Sequence, residues 1–180
     1  MRTSKLIILP KTLTLVGMMG VGKTSIGRKL AKQLSVQFKD SDQEVEVAAG
    51  QTVANIFSWY GEQAFRDAER RVVSRLLTER PHVLSTGVEA FIMSDTRKII
   101  KENSYSIWLK ASVDTIFPRV ERRTHRPQLE KGDKKEILKQ LIESYNPIYA
   151  EADIHIDCDD QGPDLTVDRI LEELAERFWK

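Results

Sequence analysis

One cysteine in 180 residues, Cys158, leaves no intramolecular disulfide to form and fits a reducing compartment. Excess charge is also nearly absent: 28 Lys and Arg stand against 27 Asp and Glu, a net +1. A nucleic-acid footprint would need a clustered basic surplus, so none is expected. No apolar stretch approaches the roughly 20 residues of a membrane span. The apolar run at 6–9 is broken at once by Pro10 and Lys11, too short for the core of a signal peptide. Repeats, low-complexity tracts and a dividing linker are missing as well. What remains is a chain that is 41% hydrophobic and 31% charged, long enough to close a core. The expectation is a soluble cytoplasmic protein, one domain over 1–180, acting on a small molecule rather than on nucleic acid or membrane.

Apolar runs at 13–16, 36–39, 83–86, 106–109 and 154–156 alternate with helical patterns at 24–34, 42–49, 53–59, 62–79, 95–102, 113–122, 134–145 and 167–178. Strand and helix in alternation predict an α/β fold with a parallel sheet wrapped by helices. Gly50, Gly61 and Pro81 follow three of the helices as stops. Pro118 falls inside a helical pattern and is expected to kink or shorten it.

The first strand runs directly into Gly17-Met-Met-Gly20-Val21-Gly22-Lys23-Thr24-Ser25, a match to G-x-x-x-x-G-K-T between a strand and a helix. Glycines at 17, 20 and 22 let the backbone curl so that successive N–H groups face a phosphate. The helix beginning at Thr24 adds the partial positive charge of its N-terminus. Lys23 would reach the β- and γ-phosphates of ATP, and the Thr24 hydroxyl would hold Mg²⁺.

After the second strand come Asp40-Ser-Asp42. Ligands in parallel α/β folds sit at the carboxyl ends of strands, so both carboxylates should face the phosphate site. One would complete the Mg²⁺ shell through water, and the other would take a substrate proton. Helix capping by Asp42 is the plainer alternative. Arg66 and Glu69 are helical neighbours, readable as a braced grip on a planar anion or as an ordinary surface ion pair. The polar segment 124–133 lacks periodicity and reads equally as a lid or as a solvated loop.

Together these motifs resemble the shikimate kinase family. The order is G-x-x-G-x-G-K-T, D-S-D, then Ile56-Phe57, Gly61-Glu62, Phe65-Arg66 and Glu69, then Arg126-Pro127, and finally Tyr149 through Asp153. The resemblance implies a three-layer P-loop kinase fold like that of nucleoside-monophosphate kinases. It would carry a five-stranded parallel sheet of order 2-3-1-4-5, a lid at about 124–132 and a substrate-binding helical segment at about 42–70. It implies an ATP-dependent kinase, usually monomeric, that phosphorylates the 3-hydroxyl of shikimate on the route to chorismate and aromatic amino acids. ATP would lie on residues 17–25, with Mg²⁺ on Thr24 and, through water, on Asp40. Asp42 would bind shikimate and act as base. Arg66, braced by Glu69, would grip the carboxylate, with Phe57 and Phe65 as ring walls. Arg126 would close over the phosphates, and Arg119 would stack on adenine against Gly162 and Pro163.

Two places depart from the pattern. The family follows its third strand with three glycines, where this chain has Gly87-Val88-Glu89. A β-branched residue is disfavoured at positive φ, so Val88 implies a different loop path or a lost donor. Glu89 has three candidate placements: crowding the γ-phosphate, ordering Mg²⁺ water, or facing solvent. Tyr145 stands where the family has a second arginine for the substrate carboxylate, leaving Lys139, Arg70 or Arg123 as possible substitutes. A different hydroxyl acceptor, or a nucleotide-binding protein with impaired transfer, are therefore the alternative readings.

Overall fold

The computed structural model describes residues 8–122 and 132–179. Five strands form one all-parallel sheet of order β2-β3-β1-β4-β5, the order expected from the resemblance. They are β1 (Thr12–Val16), β2 (Phe38–Asp40), β3 (Val83–Ser85), β4 (Ser104–Lys110) and β5 (Ile154–Asp157). The helices are α1 (Lys23–Leu34), α2 (Ser41–Ala49), α3 (Val53–Tyr60), α4 (Glu62–Leu76), α5 (Ser94–Asn103), α6 (Val113–Glu121), α7 (Lys134–Tyr149) and α8 (Pro163–Phe178).

Strand burial follows position in the sheet. All five residues of the central β1 are buried, as a parallel strand covered on both faces requires, whereas edge strand β5 alternates, hiding Ile154 and Ile156. The larger core joins Leu13, Leu15, Leu30, Ile107, Ile170 and Leu174 with their neighbours. A smaller one, including Val45, Ile56, Phe65 and Leu76, fixes α2, α3 and α4 beside Leu84 of β3. Buried strand hydroxyls are paired: Thr14 donates to Ser104 Oγ at 2.8 Å, which donates to the Ile100 carbonyl at 2.8 Å. Helix α1 lies close on the sheet because residue 27 is glycine. A Cβ there would stand 2.6 Å from Phe38 Cε2 and 3.1 Å from Leu15 Cδ1.

Some boundaries differ from expectation, each for a local reason. Helix α4 ends at Leu76, and residues 77–79 turn more tightly: the Thr78 and Glu79 N–H groups bond three residues back, to Arg75 and Leu76. Helix α8 starts earlier, at Pro163, whose fixed φ and missing N–H suit the first helical position. Helix α6 does not stop at Pro118 but runs through it to Glu121. Helix α7 likewise passes Pro147 to Tyr149, whose fully buried ring anchors the last turn.

The register sets up the site. Asp40 of β2 lies beside Ser85 of β3, and Ser85 beside Leu15 of β1, so three strands end together. The loops leaving those ends carry residues 17–22, the Asp40–Asp42 turn and the 86–89 segment.

Candidate functional site

The loop after β1 is shaped by glycine at its first position. Gly17 has φ +145°, and a Cβ there would stand 2.6 Å from the Leu109 carbonyl oxygen of β4, backbone that cannot give way. Gly20 and Gly22 also have positive φ, and Gly22 caps α1. The loop thus turns directly into a helix N-terminus, the arrangement that receives a phosphate. Lys23 Nζ donates to the carbonyls of Gly17 at 2.7 Å and Met18 at 2.9 Å, drawing the ammonium across the loop.

A cleft of about 720 Å³ opens over this loop. Gly20, Gly22, Lys23, Thr24 and Ser25 line one side, and Asp40, Asp42, Gly87 and Val88 line the other. Val21 borders an adjoining recess of about 220 Å³ with Arg119, Pro163 and Gln161. Arg119 borders both spaces and donates to the Gly20 carbonyl at 3.1 Å. The pair assigned to adenine, Arg119 and Pro163, therefore meets beside the phosphate loop. Gly162 caps α8, its carbonyl accepting from the Thr166 N–H at 3.2 Å. Gln161 carries no sequence motif, yet its Oε1 is buried without a partner at this recess. Arg126 and residues 124–131 of the expected lid lie outside the described residues, as does Arg123.

Helix capping falls to Asp40 rather than Asp42. Asp40 Oδ1 accepts from the N–H groups of Asp42 at 2.9 Å and Gln43 at 3.2 Å. Asp42 follows inside the first turn of α2, within the cleft. Burial holds its carboxyl above the ordinary aspartate range. Asp40 pushes the same way, against Lys23 and Arg66. Thr24 and Asp40 offer two hard oxygen donors fit for Mg²⁺. Among the described residues no group of three His, Cys, Asp or Glu side chains forms a cage, so the ion would share its shell with phosphate and water.

The second half of the site lies behind Gly87. A Cβ at this position would be 3.0 Å from Asp42 Oδ1 and 3.1 Å from Glu69 Oε2, so glycine lets both carboxylates pack close against the loop backbone. The Gly87 N–H is held by Ser41 Oγ at 3.2 Å. Val88 does not sit at positive φ, and neither does Gly87, so the loop tolerates a branched residue. The Tyr149 hydroxyl donates to the Val88 carbonyl at 2.6 Å and pins the loop from α7.

Arg66 is buried, 8% exposed, rather than part of a surface ion pair. Its guanidinium lies over the rings of Phe57 and Phe65, 5.9 and 5.2 Å from their centroids, while those rings pack 4.7 Å apart. Its Nη1 donates to Glu69 Oε1 at 3.3 Å. Its Nη2 donates to Glu89 Oε2 and lies 3.6 Å from Glu62 Oε1. The other Glu89 oxygen accepts from the Tyr145 hydroxyl at 3.0 Å. This corrects the three candidate placements of Glu89: its side chain is only 17% exposed and is tied to Arg66, the arginine expected to grip the acceptor. Arg70 instead pairs with Asp67 at 3.3 Å, on the same helix. Burial and Glu89 push the Tyr145 phenol up to about 12, which keeps it a donor.

Glu69 is buried with Oε2 unpartnered, and its carboxyl is pushed up to about 7. Burial is the largest cause, opposed by Arg66 and assisted by Asp42. The folded protein therefore holds this proton to higher pH than the unfolded chain. The resulting stability is full below the ordinary glutamate value of 4.5 and is lost as pH rises through about 7. Glu69→Gln, which cannot ionise, should gain on the parent between pH 5 and pH 8, by up to about 3 kcal/mol. Urea unfolding at the two pH values checks this. A stability difference independent of pH would contradict it.

The family model described as "Shikimate kinase" matches residues 19–175. A shikimate kinase of Caulobacter vibrioides is 48% identical over 166 residues, covering 92% of this chain and 83% of the relative. One from Paramagnetospirillum magneticum is 46% identical over 164 residues, covering 91% and 84%. Among solved structures, shikimate kinase from Acinetobacter baumannii in complex with shikimate superposes with a TM-score of 0.86 at 33% identity, covering 93% and 95%. With the phosphate loop and the Asp40–Asp42 turn on one cleft and the sheet in the expected order, the chain belongs to the shikimate kinase family.

Proposed function

We propose that this protein transfers the γ-phosphoryl group of ATP to the 3-hydroxyl of shikimate. The observation that carries this reading is one cleft with a phosphate loop on one wall and Asp42 on the other. In a loose phosphoryl-transfer transition state the protein contributes mainly position and charge. The backbone N–H groups of 17–25 and the ammonium of Lys23 take the phosphates. Thr24 and Asp40 hold Mg²⁺, which when bound supplies positive charge to the phosphate oxygens. Asp42 orients the acceptor hydroxyl and receives its proton. Its lifted basicity suits that task, because the carboxylate has most to gain from the proton when water is excluded. Arg119 and Pro163 flank the adenine. Arg126 is assigned to the phosphates by the family pattern.

Gly87 lets Asp42 and Glu69 close on the loop backbone, and the acceptor ring lies beside Asp42, Phe57, Phe65 and Arg66. The single buried cysteine fits work in the cytoplasm, the near-neutral charge fits a protein without a nucleic-acid footprint, and the family resemblance is the ground for a monomer. Among the described residues no helix is long and apolar enough to cross a membrane. The test is ADP release with and without shikimate. Release that requires shikimate is expected. ATP binding with no release on shikimate would favour the reading in which transfer is impaired.

A further inference from the structure

Both terminal nitrogens of Arg66 already carry carboxylates of the chain itself, and only its buried Nε is without a partner. Glu89 takes Nη2 and Glu69 takes Nη1, with Glu62 beside them. One guanidinium thus faces three carboxylates. Tyr145, the residue replacing the second arginine, spends its only proton on Glu89. The two departures from the family pattern, 56 residues apart in sequence, are bonded to each other and to the grip. Their joint effect is to neutralise the grip: a site with one or two unmatched positive charges becomes one whose positive charge is already matched from within the chain.

We infer that Glu89 is an internal stand-in for the acceptor's anionic group. The pocket therefore recognises an acceptor through its hydroxyls and gains nothing from a carboxylate. This rests on the reading of the site as one that phosphorylates shikimate. It adds that an uncharged ring with the same hydroxyls is an equal or better acceptor. To take the forked grip of the terminal nitrogens the carboxylate of shikimate must displace Glu89 or Glu69, and at Nε it meets a guanidinium whose charge Glu89 already matches. The neutral ring meets neither obstacle. Asp42, Gly87 and the Phe57–Phe65 wall remain in place for both.

The test compares shikimate with its carboxamide, in which only the charge is removed, on the parent, Glu89→Ala and Glu89→Gln. In the parent, kcat/KM for shikimate should be no higher than for the carboxamide. Glu89→Ala frees Arg66 and Glu89→Gln removes the competing charge, and either should raise the shikimate-to-carboxamide ratio at least about tenfold, chiefly through KM. A purely structural role for Glu89 would change both acceptors alike and leave the ratio where it was. Glu89→Gln keeps the shape and an acceptor for Tyr145, so it carries the test if Glu89→Ala fails to fold.

A parent that prefers shikimate more than tenfold, or a ratio unmoved by both substitutions, overturns the inference. If no variant phosphorylates either compound, the shikimate reading fails. Calorimetric binding then decides the inference alone: a tenfold gain in shikimate affinity over carboxamide affinity in Glu89→Gln sustains it, and equal affinities overturn it.

Discussion

Replacing Asp42 with asparagine is expected to lower shikimate-dependent turnover by on the order of 10²–10⁴-fold, the range for loss of a positioned general base. The variant should remain folded and should still bind ATP. Asparagine has the shape of aspartate, so the close packing against Gly87 is unchanged. The Asp42 N–H keeps its bond to Asp40 Oδ1, and the cap of α2 survives. A buried carboxylate whose charge is disfavoured by burial and by Asp40 is replaced with a neutral amide, so stability should hold or rise. The measurement is initial rate of ADP release, with ATP binding followed by thermal shift on the same samples. Unchanged turnover would remove Asp42 from the role of base and leave Glu69 as the remaining buried carboxylate beside Gly87.

Much of the fold was legible because its signals are local. A buried apolar strand, three glycines and an amphipathic helix specify β1, the phosphate loop and α1 within about 20 residues. The apolar runs of β3, β4 and β5 are short but bounded by turns, and strand–helix alternation restricts the topology severely. Boundaries failed where local rules met tertiary packing. Proline at 118 and 147 should interrupt a helix. Each lost hydrogen bond is outweighed by what the helix buries beyond it, Val120 in α6 and Tyr149 in α7. Burial of that kind depends on partners from elsewhere in the chain, and a proline rule read along the sequence does not include them.

The site divides the same way. Residues of the phosphate loop are fixed by their spacing, and the structure puts them along one cleft. Arg66 and Glu69 were legible as neighbours, but their burial was not, because it depends on Phe57, Phe65 and the loop after β3. Glu89 was misread because its partners lie 23 and 56 residues away. The usable signal was chemical: a tyrosine where the family pattern has arginine, at 145, and a carboxylate where it has glycine, at 89, are complementary departures. Taken separately they suggest a damaged pocket and a crowded phosphate. Taken together they describe a carboxylate moving onto the remaining arginine. Gln161 offered no signal at all, since its importance lies in an unpartnered oxygen visible only once α8 is docked.

Replacing Lys23 with methionine should lower turnover by on the order of 10²–10³-fold, the scale for removing one donor aimed at transition-state charge. It should also weaken ATP binding, which distinguishes it from Asp42→Asn. The ammonium has two tasks here. In the structure it spans the carbonyls of Gly17 and Met18, holding the loop curled. In the proposed transfer it would follow the charge moving to the β–γ bridge by a swing along its flexible stem. Methionine fills the same volume and keeps the start of α1, so the fold should persist while both tasks are lost. The stabilisation that ATP gives, read as the rise in Tm, should shrink in the variant because it follows the logarithm of occupancy. The double variant Lys23→Met/Asp42→Asn separates a working unit from two independent residues. Residues that act in one step lose activity once, so the double variant should be about as slow as the slower single variant. Losses that multiply would mean that Asp42 serves acceptor binding alone and that the proton leaves by another route.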